Sequence, residues 1–227
     1  MVNNINKLAD MGIIKKKDLS GLKSVTSRYS LGVTEDMMNL IKKGKKYSAI
    51  SKQFLPSLDE LNENEFESSD PIGDERFSPI KGIVHRYKDR VLLKIHSACA
   101  VYCRFCFRRE VVGPSGENLT QEEIKEAIKY IKHNKNVWEV ILTGGDPFVL
   151  SSNKIGNILD SLDSINHVKI IRIHTRVPIV QPKLISDELI KVLSKRKATI
   201  YIAIHMNHSS EMTNKAKEAC EKLTKKG

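Results

Sequence analysis

The sequence predicts an α/β fold: a partial (β/α) barrel of four βα units, preceded by a small helical N-terminal region. Three observations predict it. Four short aliphatic, β-branched runs recur after residue 90. Amphipathic helical segments alternate with them. Residues suited to chemistry gather just after each run. Alternation of this kind builds a parallel sheet covered by helices, with its sites at the strand C-termini.

The elements follow in chain order. Residues 1–55 read as short helices; Thr34 is an N-cap, and Met37, Met38, Leu40 and Ile41 give one apolar side. Residues 56–82 form an acidic connector or arm, punctuated by Pro56, Pro71, Gly73, Pro79 and Gly82. Residues 83–227 hold the barrel units. A strand at Val91–Ile95 leads to a helix over Thr120–Asn134, with Thr120-Gln-Glu-Glu123 as capping box and Ile124, Ala127, Ile128 and Ile131 as apolar stripe. Strands at Val137–Leu142, Val168–Ile173 and Ala198–Ile204 alternate with helices at Ser152–Leu162, Ser186–Lys195 and Ser210–Lys225. Near-continuous β-branched strands predict burial on both faces and parallel pairing.

A chain of 227 residues with 40% hydrophobic content supports one sizeable domain with a small appendage. No stretch approaches the ~20 apolar residues of a membrane helix. Residues 1–20 lack the apolar run and cleavage site of a signal peptide. A cytoplasmic protein without a membrane partner is therefore expected. The net charge of +11 is unevenly spread. Residues 1–52 carry 11 Lys/Arg against 4 Asp/Glu, whereas residues 53–75 carry none against 8. The basic head reads as a solvated surface, because no helix-turn-helix, zinc-finger or RNA-binding signature supports a nucleic-acid partner.

Three of the four cysteines fall within eight residues, as Cys99-Ala-Val-Tyr-Cys103-Arg-Phe-Cys106. Such clustering points to metal or redox chemistry, not to a disulfide framework. Thiolates ligate iron–sulfur clusters. A cubane of four irons held by three thiolates leaves one iron open, as a catalytic zinc keeps one free position. An amino acid such as methionine can chelate that iron through its amino and carboxylate groups. Two other readings stay open: a structural zinc site completed by His96, and a redox dithiol at Cys103 and Cys106. The short spacing and the βα setting favour the cluster.

The other strand ends carry further candidates. In Gly144-Gly145-Asp146-Pro147, paired glycines let a ligand approach the backbone, though an ordinary strand-to-helix turn fits equally well. Arg108 and Arg109 suit a carboxylate, which guanidinium binds in bidentate fashion. Arg172, His174 and Arg176 share a period of two, which points all three to one side, toward a ligand or an internal ion pair. His205 and His208 read as a cofactor contact or as core histidines, and Cys220 as a helix residue without chemistry.

Together these motifs resemble the radical S-adenosylmethionine superfamily, and within it the lysine 2,3-aminomutase family. The match includes His85-Arg86-Tyr87, Asp89-Arg90, Cys103-Arg104-Phe105-Cys106-Phe107-Arg108-Arg109, Thr143-Gly144-Gly145-Asp146-Pro147, Arg172-Ile173-His174-Thr175-Arg176 and His205-Met206-Asn207-His208. It runs from about residue 30 to the end. Details of the cysteine and Ile-His-x-Arg-x-Pro-Ile-Val segments resemble the branch that isomerises lysine for elongation factor P. The resemblance implies a radical-SAM-type partial barrel and three cofactors: a 4Fe-4S cluster, S-adenosylmethionine and pyridoxal 5'-phosphate. The reduced cluster would cleave S-adenosylmethionine to a 5'-deoxyadenosyl radical. That radical would take hydrogen from lysine held as a pyridoxal imine, and the amino group would move from the α- to the β-carbon.

By matching positions, Cys99, Cys103 and Cys106 would hold the cluster, and Gly144, Gly145 and Asp146 would border the methionine end. Arg108 would bind the lysine carboxylate, Arg90 would lie near the pyridoxal phosphate, and His205 would lie on the S-adenosylmethionine side. The substrate would be lysine or a lysyl group. Family members continue for two more strands and a lysine that anchors pyridoxal phosphate; neither is found before Gly227. Two expectations follow. The chain acts with a second polypeptide that completes the barrel, or as a homo-oligomer. Alternatively it is an inactive remnant or half of a split enzyme, binding cluster and S-adenosylmethionine only. A four-unit sheet would leave an apolar open edge.

Overall fold

The computed structural model describes residues 1–44, 48–62, 64–114, 116–194 and 196–225. The helix end expected at Lys195 and the last residues, 226 and 227, lie outside the described residues. Four helices come first: α1 (Ile5–Asp10), α2 (Leu19–Arg28), α3 (Glu35–Lys43) and α4 (Ala49–Phe54). Thr34 caps α3 by accepting the Met37 N–H. Its hydroxyl also donates to the Val180 carbonyl at 2.5 Å, tying the helical region to the barrel units.

A hairpin then opens the sheet, β1 (Ile83–Tyr87) and β2 (Arg90–His96). The sequence reading holds β2 but not β1, whose outer residues Arg86 and Tyr87 are exposed. There follow α5 (Gln121–His133), β3 (Glu139–Gly144), α6 (Ser152–Asp163), β4 (Ile170–Thr175), the single turn α7 (Val177–Val180), α8 (Asp187–Leu193), β5 (Thr199–Ile204) and α9 (Asn214–Thr224). The capping box at Thr120 and Glu123 forms as expected and starts α5.

The strands lie in the order β1-β2-β3-β4-β5. β1 runs antiparallel to β2, and β2 through β5 are parallel. Val91, Leu93 and Ile95 of β2, Val140 and Leu142 of β3, and Ile171 and Ile173 of β4 share one core with Ile131, Ile155, Leu159 and Leu189 of the helices. Burying each such side chain stabilises by ~1.5–3 kcal/mol. Leu8, Val25, Met37 and Phe54 of the N-terminal helices belong to the same core.

Burial on both faces holds for β3 alone. On β4 and β5 the alternate positions are open, with His174 exposed and Tyr201 50% exposed. Helices cover one face and the sheet is not closed, so the other face, carrying Lys94, Arg172, His174 and Tyr201, stays polar and half-open. β1 and β5 are the two edges of the sheet. No helix among the described residues is long and apolar enough to cross a membrane.

Candidate functional site

The segment after β2 turns back on itself through the three cysteines. Local backbone bonds give it shape: Cys106 N–H donates to the Cys103 carbonyl and Arg109 N–H to the Cys106 carbonyl, both at 3.1 Å. The N-terminal helical region clamps it. Tyr102 N–H donates to the Gly32 carbonyl at 3.0 Å, and Arg104 N–H to the Gln53 carbonyl at 2.8 Å. The Arg104 guanidinium, nearly buried, meets Glu60 through Nε at 3.0 and 3.1 Å and the Ser30 carbonyl through Nη1 at 2.9 Å. The acidic connector thus straps the cysteine loop: Glu60 pairs with Arg104, Glu67 with Arg109 and Asp74 with Arg108.

The strand ends are stitched to this loop. Gly145 N–H donates to the His96 carbonyl at 2.6 Å and Asp146 N–H to the Ala98 carbonyl at 2.8 Å. A Cβ on Gly145 would sit 2.0 Å from the Ala98 carbonyl oxygen. Gly144 adopts φ +114, where L side chains are strained. The close approach that the glycines permit is therefore to the cysteine loop's own backbone. Asp146 is buried and its carboxylate is taken up within the protein: it accepts from Thr175 Oγ1 at 2.6 Å, Arg176 N–H at 2.7 Å, Phe148 N–H at 3.1 Å and Val177 N–H at 3.2 Å. Burial pushes its carboxyl up, and these donors oppose that.

Arg176 does not lie on the open face with Arg172 and His174, as period two expected. β4 ends at Thr175, and Arg176 takes a helical backbone conformation as the N-cap of α7, with Pro178 in its first turn. The guanidinium turns into a buried hub. Nη1 donates to Cys103 Sγ at 2.9 Å; Nη2 donates to Glu211 Oε2 at 2.7 Å and to Gln53 Oε1. Phe54 and Phe105 flank it at 4.9 and 5.5 Å. Glu211 is fully buried and also accepts from Gln53 Nε2, Asn207 N–H and His208 N–H. Sequence reasoning missed Gln53, Glu60, Asp74 and Glu211. Only the spacing His208-Ser-Ser-Glu211, which forms a capping box, offered a signal.

The other candidates divide between the two ends of the sheet. His205 reaches the cysteine loop, stacking edge-on against Phe105 at 5.7 Å while its Nε2 meets Asn207 Oδ1 at 2.7 Å. Arg108 lies beside the third cysteine, its Nη2 bonded to Asp74 Oδ2 at 2.9 Å and its buried Nε without a protein partner among the described residues. Arg90 is not brought to them. It sits at the first residue of β2, paired with Asp89 at 2.7 Å and with buried Glu139 at 3.4 Å. The strand rise of ~3.3 Å per residue puts it ~20 Å from the cysteine end. Arg172 pairs with the same Glu139 at 2.6 Å.

The three thiols are free and line one pocket with Tyr29, Tyr102 and Arg109. Burial pushes all three up; Arg176 pulls Cys103 back, and the Arg108 N–H pulls Cys106 back. A bound metal centre displaces such protons. Among the described residues no three His, Cys, Asp or Glu side chains are disposed to hold a single metal ion. One zinc ion would need its sulfurs ~3.8 Å apart, given bonds of ~2.3 Å. His96, the fourth ligand of the zinc reading, turns Nδ1 to the Ala98 N–H at 3.1 Å. Three thiols lining one pocket beside guanidinium donors are soft ligands of the kind that hold zinc or an iron–sulfur centre.

Residues 93–227 match the model of the radical SAM superfamily. The chain is 45% identical over 178 residues to the L-lysine 2,3-aminomutase of Methanococcus maripaludis, covering 78% of this chain and 41% of that protein. It is 35% identical over 226 residues to the L-lysine 2,3-aminomutase of Fusobacterium nucleatum, covering 100% of this chain and 52% of that protein. The glutamate 2,3-aminomutase of Clostridioides difficile is 33% identical over 226 residues, 100% of this chain and 53% of that protein. The chain thus spans about half the length of these curated relatives.

Proposed function

The chain belongs to the radical SAM superfamily, and from that premise we propose that Cys99, Cys103 and Cys106 hold a 4Fe-4S cluster with S-adenosylmethionine beside it. One observation carries the reading: three free thiols around one pocket, on a loop stitched by backbone bonds to the glycine pair of the next strand. Cluster and S-adenosylmethionine together supply a carbon-centred radical able to take hydrogen from an unactivated C–H bond. The protein's own groups position them. With the Gly145 N–H committed to the His96 carbonyl, a ligand's ammonium would have backbone carbonyls of the Gly144–Gly145 turn as its acceptors. Asp146, its oxygens spent on Thr175, Arg176, Phe148 and Val177, fixes the strand ends and does not itself touch the ligand. His205 and Phe105 wall the β5 side.

We propose further that the reaction is a lysine 2,3-amino shift, moving the amino group from the α- to the β-carbon, in the cytoplasm and on lysine destined for elongation factor P. The curated names on lysine support the substrate. Arg108 would bind the α-carboxylate, exchanging Asp74 for it. That end is common to lysine and glutamate, so one arrangement serves both kinds of relative. Pyridoxal phosphate, implied by the aminomutase names, fits this chain less well. Arg90, the residue that the resemblance sets near it, lies at the first residue of β2, away from the cysteine end. A second polypeptide or segment pairing with the edge of β5 is the partner that complete amino migration calls for.

Anaerobic reconstitution with iron and sulfide tests the reading. Reduced protein should release 5'-deoxyadenosine from S-adenosylmethionine. Replacement of Cys99, Cys103 or Cys106 by Ala should abolish this, and Cys220→Ala should not. Stoichiometric zinc without sulfide uptake would reject it, and so would a remnant that takes up no cluster.

A further inference from the structure

The cluster reading gives the Arg176 guanidinium and its buried partners no role. The guanidinium is 7% exposed and Glu211 is 0% exposed. A buried ion pair is weak evidence for stability, since apolar residues of the same volume often serve as well. Its geometry calls for another explanation. Nη2 is fixed by Glu211 and Gln53, and the backbone N–H by Asp146, so the fork has little freedom to turn. Held this way, Nη1 aims at Cys103 Sγ at 2.9 Å. The rings of Phe54 and Phe105 lie 4.9 and 5.5 Å from the guanidinium carbon. Among the described residues, Cys103 is the one cysteine of the three whose sulfur takes a side-chain hydrogen bond.

We propose that Arg176 is a positioning residue that sets the electron affinity of the cluster through its hydrogen bond to Cys103 Sγ, with Glu211 setting how much positive charge reaches the sulfur. The proposal rests on the cluster reading above. An N–H donor on a ligating sulfur withdraws electron density and stabilises the more negative, reduced cluster, which raises its potential. Glu211 works the other way by neutralising part of the guanidinium charge in a region of low dielectric. Gln53 and Glu211 come from α4 and from the turn after β5, so two distant parts of the chain meet at this one guanidinium.

The test is a redox titration of the reconstituted full chain, followed by electron paramagnetic resonance, on wild type, Arg176→Lys and Glu211→Gln. Lysine keeps a charge for Glu211 but loses the fork that reaches Cys103. Its cluster should become harder to reduce by about tenfold, ~59 mV for a one-electron couple. Glutamine keeps an acceptor for Arg176 while releasing its charge, so the shift should be of similar size and opposite sign. A purely structural role predicts lower cluster occupancy without opposed shifts in the clusters that form. Equal potentials in wild type and either variant would overturn the proposal. If Arg176→Lys cannot be loaded, Glu211→Gln alone decides, because its potential must rise. Failure of wild type itself to take up a cluster would overturn the underlying reading instead.

Discussion

Replacing Gly145 by Ala should separate the end of β3 from the cysteine loop. The added Cβ would lie 2.0 Å from the Ala98 oxygen and 2.7 Å from Ala98 C and N, all of them backbone atoms that cannot swing away. Real Cβ atoms essentially never come closer than 3.0 Å, so the two segments must part by about 1 Å. That takes the Gly145-to-His96 bond of 2.6 Å and the Asp146-to-Ala98 bond of 2.8 Å beyond useful length. Each buried donor left unmade costs ~1–3 kcal/mol, so the total is ~2–6 kcal/mol. A loss of this size is a large fraction of the ~5–15 kcal/mol that typically holds a domain folded. Urea unfolding of apo protein would show it as a lower midpoint, and reconstitution as poorer iron uptake. Gly156→Ala is the control. Its Cβ meets Val192 at an ordinary 3.5 Å inside α6, and there Ala should stabilise by ~0.5–1 kcal/mol. A Gly145→Ala protein with the wild-type midpoint and wild-type iron content would refute the stitching argument.

Two other outcomes follow from buried charge. Arg104→Met leaves the Glu60 carboxylate with only the Ser57 N–H in a nearly buried site and should cost ~3–5 kcal/mol, while Arg104→Met with Glu60→Gln, which keeps an acceptor for Ser57, should cost less; equal thermal melts of wild type and Arg104→Met would expose a pair that contributes nothing. Burial holds the His96 imidazole below its ordinary value, so the unfolded chain takes up that proton first as pH falls. Stability should therefore be flat above pH ~6.5 and decline below it, and His96→Gln should decline less; equal slopes in the two proteins would contradict this.

Much of this architecture was legible in the sequence because its signals are local. The Thr120 and Glu123 capping box marks the start of α5, and each parallel strand is a short aliphatic run set between turn residues. What escaped depends on distance along the chain. β1 has only Ile83 and Val84 buried before it turns polar and exposed at Arg86, a run too short to mark a strand without its partner β2. Arg176 breaks the period-two expectation because β4 ends one residue earlier, at the turn into α7. No local pattern tells that Glu60 will find Arg104, 44 residues away, or that Glu211 will find Arg176, 35 residues away. The cysteines were readable as a group. The hydrogen bond that singles out Cys103 was not, because its donor lies 73 residues further on.

The way the cysteine loop is held also dictates an order of assembly during synthesis. Gly32, Gln53 and Glu60, which grip the loop from one side, are made before Cys99 leaves the ribosome. Arg176 and Glu211, which close it from the other, come later; Glu211 follows Cys103 by 108 residues. At ~5–20 residues per second, that interval lasts roughly 5–20 s. During it the loop has its floor but not its lid, and Cys103 lacks the neighbours that later bury it. Metal delivered in that window meets thiols that water and a carrier can still reach. Metal delivered afterwards must pass the Arg176 guanidinium and its Glu211 partner, which the second half of the chain brings.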